Sequence, residues 1–558
     1  MANQDFSLEG KLLKLKQEAE EREAKRVASK TETSYLELIK SPIDIDALTL
    51  IPEKTAKENK LVAIELREKK LALAALDPGS AGVKKIINDL KEKGYELVVY
   101  TTSRRGLEHA WSFYKFVIKK AQEITTKVEI DQNELNALKD KINSLGKLKD
   151  LISPFNEKES NSGQFLETIL AGALANRVSD IHFEPGGDGV KIRMRVDGIL
   201  QDVFAGIVSN IYSSLVLRIK LASELKVNVH SEPQDGRFSI FLPDKKIEIR
   251  TSVIPSEFGE TVVLRVLDPA TIGVSLEELG FREDDLALIK EELDEPNGMI
   301  LNTGPTGSGK TTTLYAFLKH AQSSEIKIIT IEDPIEYHLD GVEQTQVDPD
   351  SGYTFAGGLR SILRQDPDML LIGEIRDIET AEIAIHAALT GHLVFSTLHT
   401  NEAAGAIPRL IDIGVKTSVL APAINLIIAQ RLLRRLCPKC RIEQKIDEVL
   451  KKNIDAFIKK MPKRVDENKF KNIRIFKANG CINCNNTGYR GRIGAFELLK
   501  VDDELEAFIN KKPLESEIRN FNRKREMTTM QEDALIKVFL GLTTFSEVER
   551  VMGAVKWE

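Results

Sequence analysis

Gly304-Pro305-Thr306-Gly307-Ser308-Gly309-Lys310-Thr311 decides how the rest of this chain is read. It fits the pattern G-x-x-x-x-G-K-[ST]. Glycines let backbone N–H groups close around phosphate oxygens without side-chain clash. In that pattern Lys310 reaches the β- and γ-phosphates of a nucleotide, and the Thr311 hydroxyl, followed by Thr312, ligates Mg²⁺. A Gly-rich turn can show the same spacing by accident, so the flanks matter. The apolar run Met299-Ile300-Leu301 enters the loop as a strand, and a helical run from Thr312 through Leu318 leaves it. A helix N-terminus therefore points at the phosphates.

Downstream, Ile328-Ile329-Thr330-Ile331-Glu332-Asp333-Pro334-Ile335-Glu336 reads as a buried parallel strand ending in acids. Asp368-Met369-Leu370-Leu371-Ile372-Gly373-Glu374 is a second apolar strand, ending where a Walker-B acid should stand. Leu393-Val394-Phe395-Ser396-Thr397-Leu398-His399 is a third, ending in a histidine. Ligands in an open α/β sheet sit beyond the carboxyl ends of the strands. Each acid alone also reads as a helix cap. Three such strands after one phosphate loop predict a nucleotide hydrolase core over residues 273–436.

Upstream, residues 164–272 read as a second α/β unit, with a helix over Phe165–Ala175 and strands over 190–196, 238–241, 246–251 and 262–267. Asp197-Gly198 is a turn signal. The unit carries Arg193, Arg195, Arg218, Arg237, Arg250 and Arg265. Arginines on a strand are ordinarily a solvated face. With a nucleotide loop just downstream, a charge supplied to phosphate is the rival reading. Residues 31–120 read as a smaller α/β unit, with strands near 61–64, 70–74 and 96–100 and a helix over 83–93. There Arg104, Arg105 and His109 are either an anion site or, as favoured, a solvated surface. Residues 1–30 alternate Lys and Glu, as in a solvated helix with i,i+4 charge pairs. Residues 121–163 read as a charged helix running into a Ser/Asn/Glu/Lys/Gly linker.

All four cysteines fall in two C-x-x-C pairs, Cys437/Cys440 and Cys481/Cys484. Two such knuckles can supply four thiolates to one tetrahedral Zn²⁺, a closed site and hence a structural one. A helix over 448–460 is expected between them, within a metal-binding region at 437–500. Arg431, Arg434, Arg435, Lys439, Arg441, Lys459, Lys460, Lys463 and Arg464 cluster nearby. They offer a surface to nucleic acid, acidic lipid or acidic protein. No aromatic interleaving supports base stacking. Residues 501–558 read as a helical region. The chain has 558 residues and a net charge of −6, which gives no general reason to expect nucleic acid. Its N-terminus is polar, without the apolar core of a signal peptide. No segment reads as a transmembrane span: the most apolar stretch, 419–433, is interrupted by Pro422, Asn425, Gln430 and Arg431. A cytoplasmic location with at most peripheral membrane contact follows as the expectation.

These motifs resemble the secretion-superfamily ATPases of type IV pilus assembly and type II secretion, over nearly the whole chain. Asp44-Ile45-Asp46-Ala47-Leu48 through Pro78 is similar to the family's first N-terminal domain. Ser179-Asp180-Ile181-His182-Phe183-Glu184-Pro185, Arg195-Val196-Asp197-Gly198 and Pro233-Gln234-Asp235-Gly236-Arg237 are similar to its middle domain. Glu332-Asp333-Pro334-Ile335-Glu336 matches the aspartate box. Arg364-Gln365-Asp366-Pro367-Asp368 leads to the Walker-B segment Gly373–Asp377, and Thr390–Asn401 matches the histidine box.

The resemblance implies an α/β protein with a RecA-like core, a PAS-like middle domain that closes over ATP, a separate N-terminal domain and a zinc-binding insert. It implies a homohexamer working through an inner-membrane platform protein, with ATP, Mg²⁺ and Zn²⁺ as cofactors and no nucleic acid. By resemblance, Glu332 is the general base, Glu374 the acid acting on Mg²⁺, and His399, with His392, the γ-phosphate sensor. Arg250 and Arg265 are the arginines brought to the phosphates. The long N-terminus and the four cysteines favour the assembly or secretion branch over retraction ATPases. The cyclic-dinucleotide signature Arg-Leu-Gly of some relatives is not found. A nucleic-acid translocase with a zinc-ribbon grip, or a binding module with a vestigial ATPase, are the rivals from other classes.

Overall fold

The computed structural model describes residues 8–31, 33–67, 69–114, 127–129, 141–156, 162–242, 245–269, 273–462, 464–525 and 527–557. Leu8–Lys30 is a helix; of its side chains from residue 19 onward, only Ala24 and Ala28 are buried, one turn apart. A four-stranded sheet follows, in the order Ser34–Tyr35, Glu96–Thr101, Lys70–Ala75, Leu61–Arg67. Helix Ala81–Glu92 places Val83, Ile86, Ile87 and Leu90 at helical spacing toward that sheet's core. Arg104 pairs with Glu108 at 3.1 Å and His109 packs edge-on against Phe113, so Arg104 and His109 are tied within their own surface.

The middle unit is a seven-stranded sheet with helices Ser162–Ala175 and Ser209–Ala222 contributing to its core. Its order is Lys127–Glu129, Gln234–Phe241, Lys246–Ser256, Gly259–Leu267, Val178–Gly186, Gly189–Val196, Ile199–Ile207. Within the stretch expected as a helix running into a linker (121–163), Lys127–Glu129 is instead a strand, parallel to Gln234–Phe241. Much of the rest of that expected helix lies outside the described residues, and Leu145–Ile152 is helical. The tight turn joining the sheet's hairpin sits at Asp197 and Gly198, φ 48° and 88°, the two positive values a primed turn requires. Pairing puts Arg237, Arg250, Arg265, Asp180 and Arg195 in one row across five strands.

The core is a second seven-stranded sheet, in the order Glu343–Gln346, Ile328–Glu332, Met369–Ile372, Leu393–Leu398, Gly298–Thr303, Ile424–Leu436, Tyr489–Lys500. All pairs are parallel except the last. Alternation sends Met299 and Leu301 into one apolar core and Ile300 into another, so the strand is buried on both faces. That is why its sequence is a continuous apolar run. Tyr489–Lys500 belongs to this sheet, although the sequence reading assigns it to the cysteine region. Between the last two strands lie the cysteines, helix Glu448–Lys460 and the small hairpin Ile442–Gln444/Ile475–Lys477. Helices Asp503–Ile509, Glu515–Lys524, Met530–Phe539 and Phe545–Met552 close the chain.

One buried charge network joins core and C-terminal helices. Asp533, fully buried, pairs with Arg282 at 2.8 Å and with the equally enclosed Lys537, and accepts the Phe496 N–H at 2.8 Å. No helix among the described residues is long and apolar enough to cross a membrane.

Candidate active site

Strand Gly298–Thr303 delivers the loop and helix Lys310–Ala321 leaves it. Gly304, Gly307 and Gly309 have φ of 151°, 79° and 92°, values that exclude most side chains. A Cβ on Gly304 would lie 2.6 Å from the Gln430 carbonyl, and one on Gly309 2.9 Å from Gln430 Nε2. Strand Ile424–Leu436 therefore runs hard against the loop. Gln430 Oε1 accepts from Asn302 Nδ2 at 3.0 Å and from Thr313 Oγ1 at 2.9 Å. One buried amide thus ties the strand before the loop to the helix after it. Sequence reading registers Gln430 only as a break in an apolar run; its place beside the loop comes from the sheet order.

Lys310 Nζ donates to the Gly304 carbonyl at 2.8 Å and the Pro305 carbonyl at 3.3 Å, closing the loop on itself. Burial lowers its pKa, the Glu374 charge resists, and Arg431 adds to the lowering. The Ser308 hydroxyl is buried with no hydrogen bond among the described residues, inside a cradle that only glycines allow. These residues fit a polyphosphate. Thr311, in the first turn of the helix and half-buried, carries the hydroxyl that would hold a Mg²⁺ in this pattern.

Glu332 is 3% exposed. Its Oε1 accepts from Thr330 Oγ1 at 2.6 Å and Gln344 Nε2 at 3.2 Å, and its Oε2 accepts from the Tyr315 hydroxyl. Burial raises its pKa against the pull of those three donors. Glu332, expected as the general base, thus has the protein's own donors on both carboxylate oxygens. Glu336 stands beyond the carboxyl end of the same strand, 32% exposed, with Arg250 Nη1 at 3.3 Å. Strand position was the available signal: Glu332 is the last residue inside the sheet, and Glu336 lies past it.

Glu374 is two residues past strand Met369–Ile372 and pairs with Arg376 and with His399 Nε2, the latter at 3.2 Å. Beside His399, the Thr400 N–H donates to Thr303 Oγ1 at 2.8 Å, pinning this loop to the end of the phosphate-loop strand. His392 is not part of the site. Its carbonyl accepts from Gly298 N–H, at the start of that strand, and its ring Nδ1 lies 3.1 Å from the Ala387 carbonyl. The six residues of Leu393–Leu398 hold it roughly 20 Å from His399.

Arg250 reaches from the middle sheet to the core: its Nη2 donates to the Ile335 carbonyl at 2.6 Å. Arg265, beside it in the row, pairs instead with Asp180 at 3.1 Å on its own sheet, and Arg195 with the same acid at 3.2 Å. Arg237 makes no ion pair among the described residues.

The four cysteine Sγ atoms lie within 4.8 Å of one another. Cys437–Cys481 is 3.9 Å, and Cys440–Cys484 and Cys481–Cys484 are 3.7 Å. A tetrahedron of Zn–S bonds has edges of about 3.8 Å. Backbone N–H groups of Cys481 and Gly488 aim at Cys484 Sγ, at 3.1 and 3.3 Å, as donors to a thiolate would. The residues fit a tetrathiolate metal. Of the basic cluster, Arg434 is engaged by Glu547 and Tyr489, Arg441 by the Gly541 carbonyl and Phe476, and Arg464 by Asp284 and Asp285. Lys463 lies outside the described residues.

A family model described as "Type II/IV secretion system protein" matches residues 156–550. The chain is 43% identical over 388 residues to Type II secretion system ATPase E of Vibrio cholerae serotype O1, spanning 70% of this chain and 75% of the relative. It is 35% identical over 510 residues to Type IV pilus assembly ATPase PilB of Myxococcus xanthus, spanning 91% and 86%. Among solved structures, ATPase DotB of Legionella pneumophila superposes with a TM-score of 0.50 at 22% identity, over 69% of this chain and 95% of that one, a likeness of fold.

Proposed function

Because the chain belongs to the type II/IV secretion system protein family, we propose that it is a Mg²⁺-dependent ATP hydrolase that powers type IV pilus assembly. It acts in the cytoplasm as a homohexameric ring and works on an inner-membrane platform protein. The observation that carries this reading is Arg250. A guanidinium from the middle sheet rests on the aspartate-box segment of the core, against Ile335 and Glu336.

In the proposed reaction, residues 304–312 cradle the triphosphate and Lys310 exchanges its loop carbonyls for phosphate oxygens. The Thr311 hydroxyl and Glu374 are the groups that would hold Mg²⁺, which would supply charge neutralisation. Glu336 takes the proton of the attacking water. His399, leaning on Glu374, senses the γ-phosphate. Arg250, and Arg265 on further closure, neutralise charge developing on the transferred group. Closing the middle domain over ATP is then the step that does mechanical work. Zn²⁺ in the four-thiolate site is structural.

Type II secretion is the second reading, favoured by the higher identity to the Vibrio relative. The longer alignment with the pilus ATPase, which reaches into the N-terminal region, favours pilus assembly. Deleting the gene and restoring it with wild type or Lys310→Ala separates the two. Surface pili should be lost and return only with wild type. Intact pili with failed export of folded proteins would mean secretion instead. Purified protein should hydrolyse ATP without stimulation by DNA or RNA; strong salt-dependent stimulation would favour a translocase.

A further inference from the structure

Glu497 lies in strand Tyr489–Lys500 and lines a cavity of about 350 Å³ between the loop after His399 and the C-terminal helices. Its two oxygens have different partners. Oε1 accepts the Ala403 N–H at 3.1 Å, and Oε2 accepts the Met530 N–H at 3.3 Å. Ala403 opens the turn Ala403–Gly405, just past His399 and Thr400. Met530 is the first residue of helix Met530–Phe539. The segment between is pinned at its other end by Thr400 on Thr303. The loop bearing His399 is thus clamped between the phosphate-loop strand and a carboxylate that also holds the C-terminal helix.

We propose that Glu497 is a positioning residue that couples the C-terminal helices to the placement of His399 over the phosphates. The proposal rests on the ATPase reading above. Glu402 and Arg519 act on this carboxyl, and Arg431, Arg523, Glu532 and Lys556 line the same cavity. Burial pushes the carboxyl up to about 7, so its neighbours matter at neutral pH. A purely structural carboxylate would tie helix to strand without affecting turnover.

The tie to the helix can be cut without touching Glu497. Met530→Pro deletes one N–H at the first helical position, where proline is tolerated. Thr529 before it already has φ −71° and ψ 161°, as a residue preceding proline needs. Met530→Ala keeps the N–H and is the reference for the lost side chain. Wild-type protein is assayed first; if it does not hydrolyse ATP, the functional reading has failed rather than this one. Given wild-type turnover, the kcat of Met530→Pro should fall roughly ten-fold or more below that of Met530→Ala, the scale of a displaced catalytic group. ATP affinity should stay unchanged. Equal kcat in the two variants, or a parallel loss of ATP affinity, would overturn the proposal. Should Met530→Pro not fold, Glu497→Gln gives the same reading, since its amide NH₂ cannot accept one of the two N–H groups. Its kcat should fall at constant ATP affinity, and a wild-type kcat would overturn the proposal equally.

Discussion

Glu332 and Glu336 sit four positions apart in one motif, yet their surroundings give them opposite capacities. Glutamine at 332 can keep its oxygen toward Thr330 and Gln344 and donate to the Tyr315 oxygen, so Glu332→Gln should fold and turn over within about five-fold of wild type. Glu336→Gln should lose about 10²–10⁴ in kcat, the usual contribution of a general base, while still binding ATP. Steady-state kinetics with nucleotide titration distinguishes them; the reverse ranking would return the base to Glu332. A pH signature accompanies this. Burial raises the Glu332 carboxyl, so the folded chain binds that proton more tightly than the unfolded chain. The stability it contributes is full below the ordinary carboxylate range and is lost as pH rises through the raised value. Denaturation of Glu332→Gln at several pH values should show that slope removed. The phosphate loop was readable because its chemistry is local and fixes residue spacing. Which of the two acids lies beyond the sheet was not, because a motif prints both alike and only strand position separates them. His392 misleads in the same way: it lies near His399 in sequence and at the opposite end of the strand in space.

Among elements, those with a single strong period were legible. Helix Glu448–Lys460 and the three apolar core strands fall where their patterns place them. Val178–Gly186 and Ile199–Ile207 did not declare themselves as strands. Each carries acids, a histidine or glycines on a half-covered sheet, which blurs a period of two. Lys127–Glu129 has three residues and exists only through its pairing with Gln234–Phe241. Tyr489–Lys500 is punctuated by Gly491 and Gly494, and its membership in the core depends on a partner far away in sequence. Helix Met530–Phe539 shows what such tertiary ties are worth. Asp533→Asn leaves Lys537 buried without a counter-charge and weakens the hold on Arg282. The cost should be about 3–5 kcal/mol, read from the denaturant midpoint. A change below about 1 kcal/mol would mean the network relaxes to share Asp284 and Asp285.

For the molecule as a whole, Arg250 is one of the places where the middle sheet touches the core. Arg250→Ala should leave the fold intact and lower kcat by about 10³ or more, as removal of an arginine that neutralises transferred phosphate does. Loss of ATP binding without change in kcat would give it a mere docking role. Elemental analysis should find about one Zn²⁺ per chain, the content of a single tetrathiolate. Chelation should loosen the cysteine region, and a fully folded metal-free preparation would remove zinc from the account.

The arginine row of the middle sheet has one further consequence. Arg237, Arg250 and Arg265 stand opposite one another on three paired strands, with Asp180 between Arg265 and Arg195 and with Glu248 and Glu336 beside Arg250, and like charges on paired strands repel by roughly 0.2–1 kcal/mol each. Those acids offset only part of the repulsion, so that sheet carries an electrostatic spring. Raising ionic strength shrinks the screening distance from about 10 Å at 0.1 M to about 3 Å at 1 M. Salt should therefore relax the sheet while weakening its grip on any polyanion, so that its melting temperature and its ligand affinity move in opposite directions.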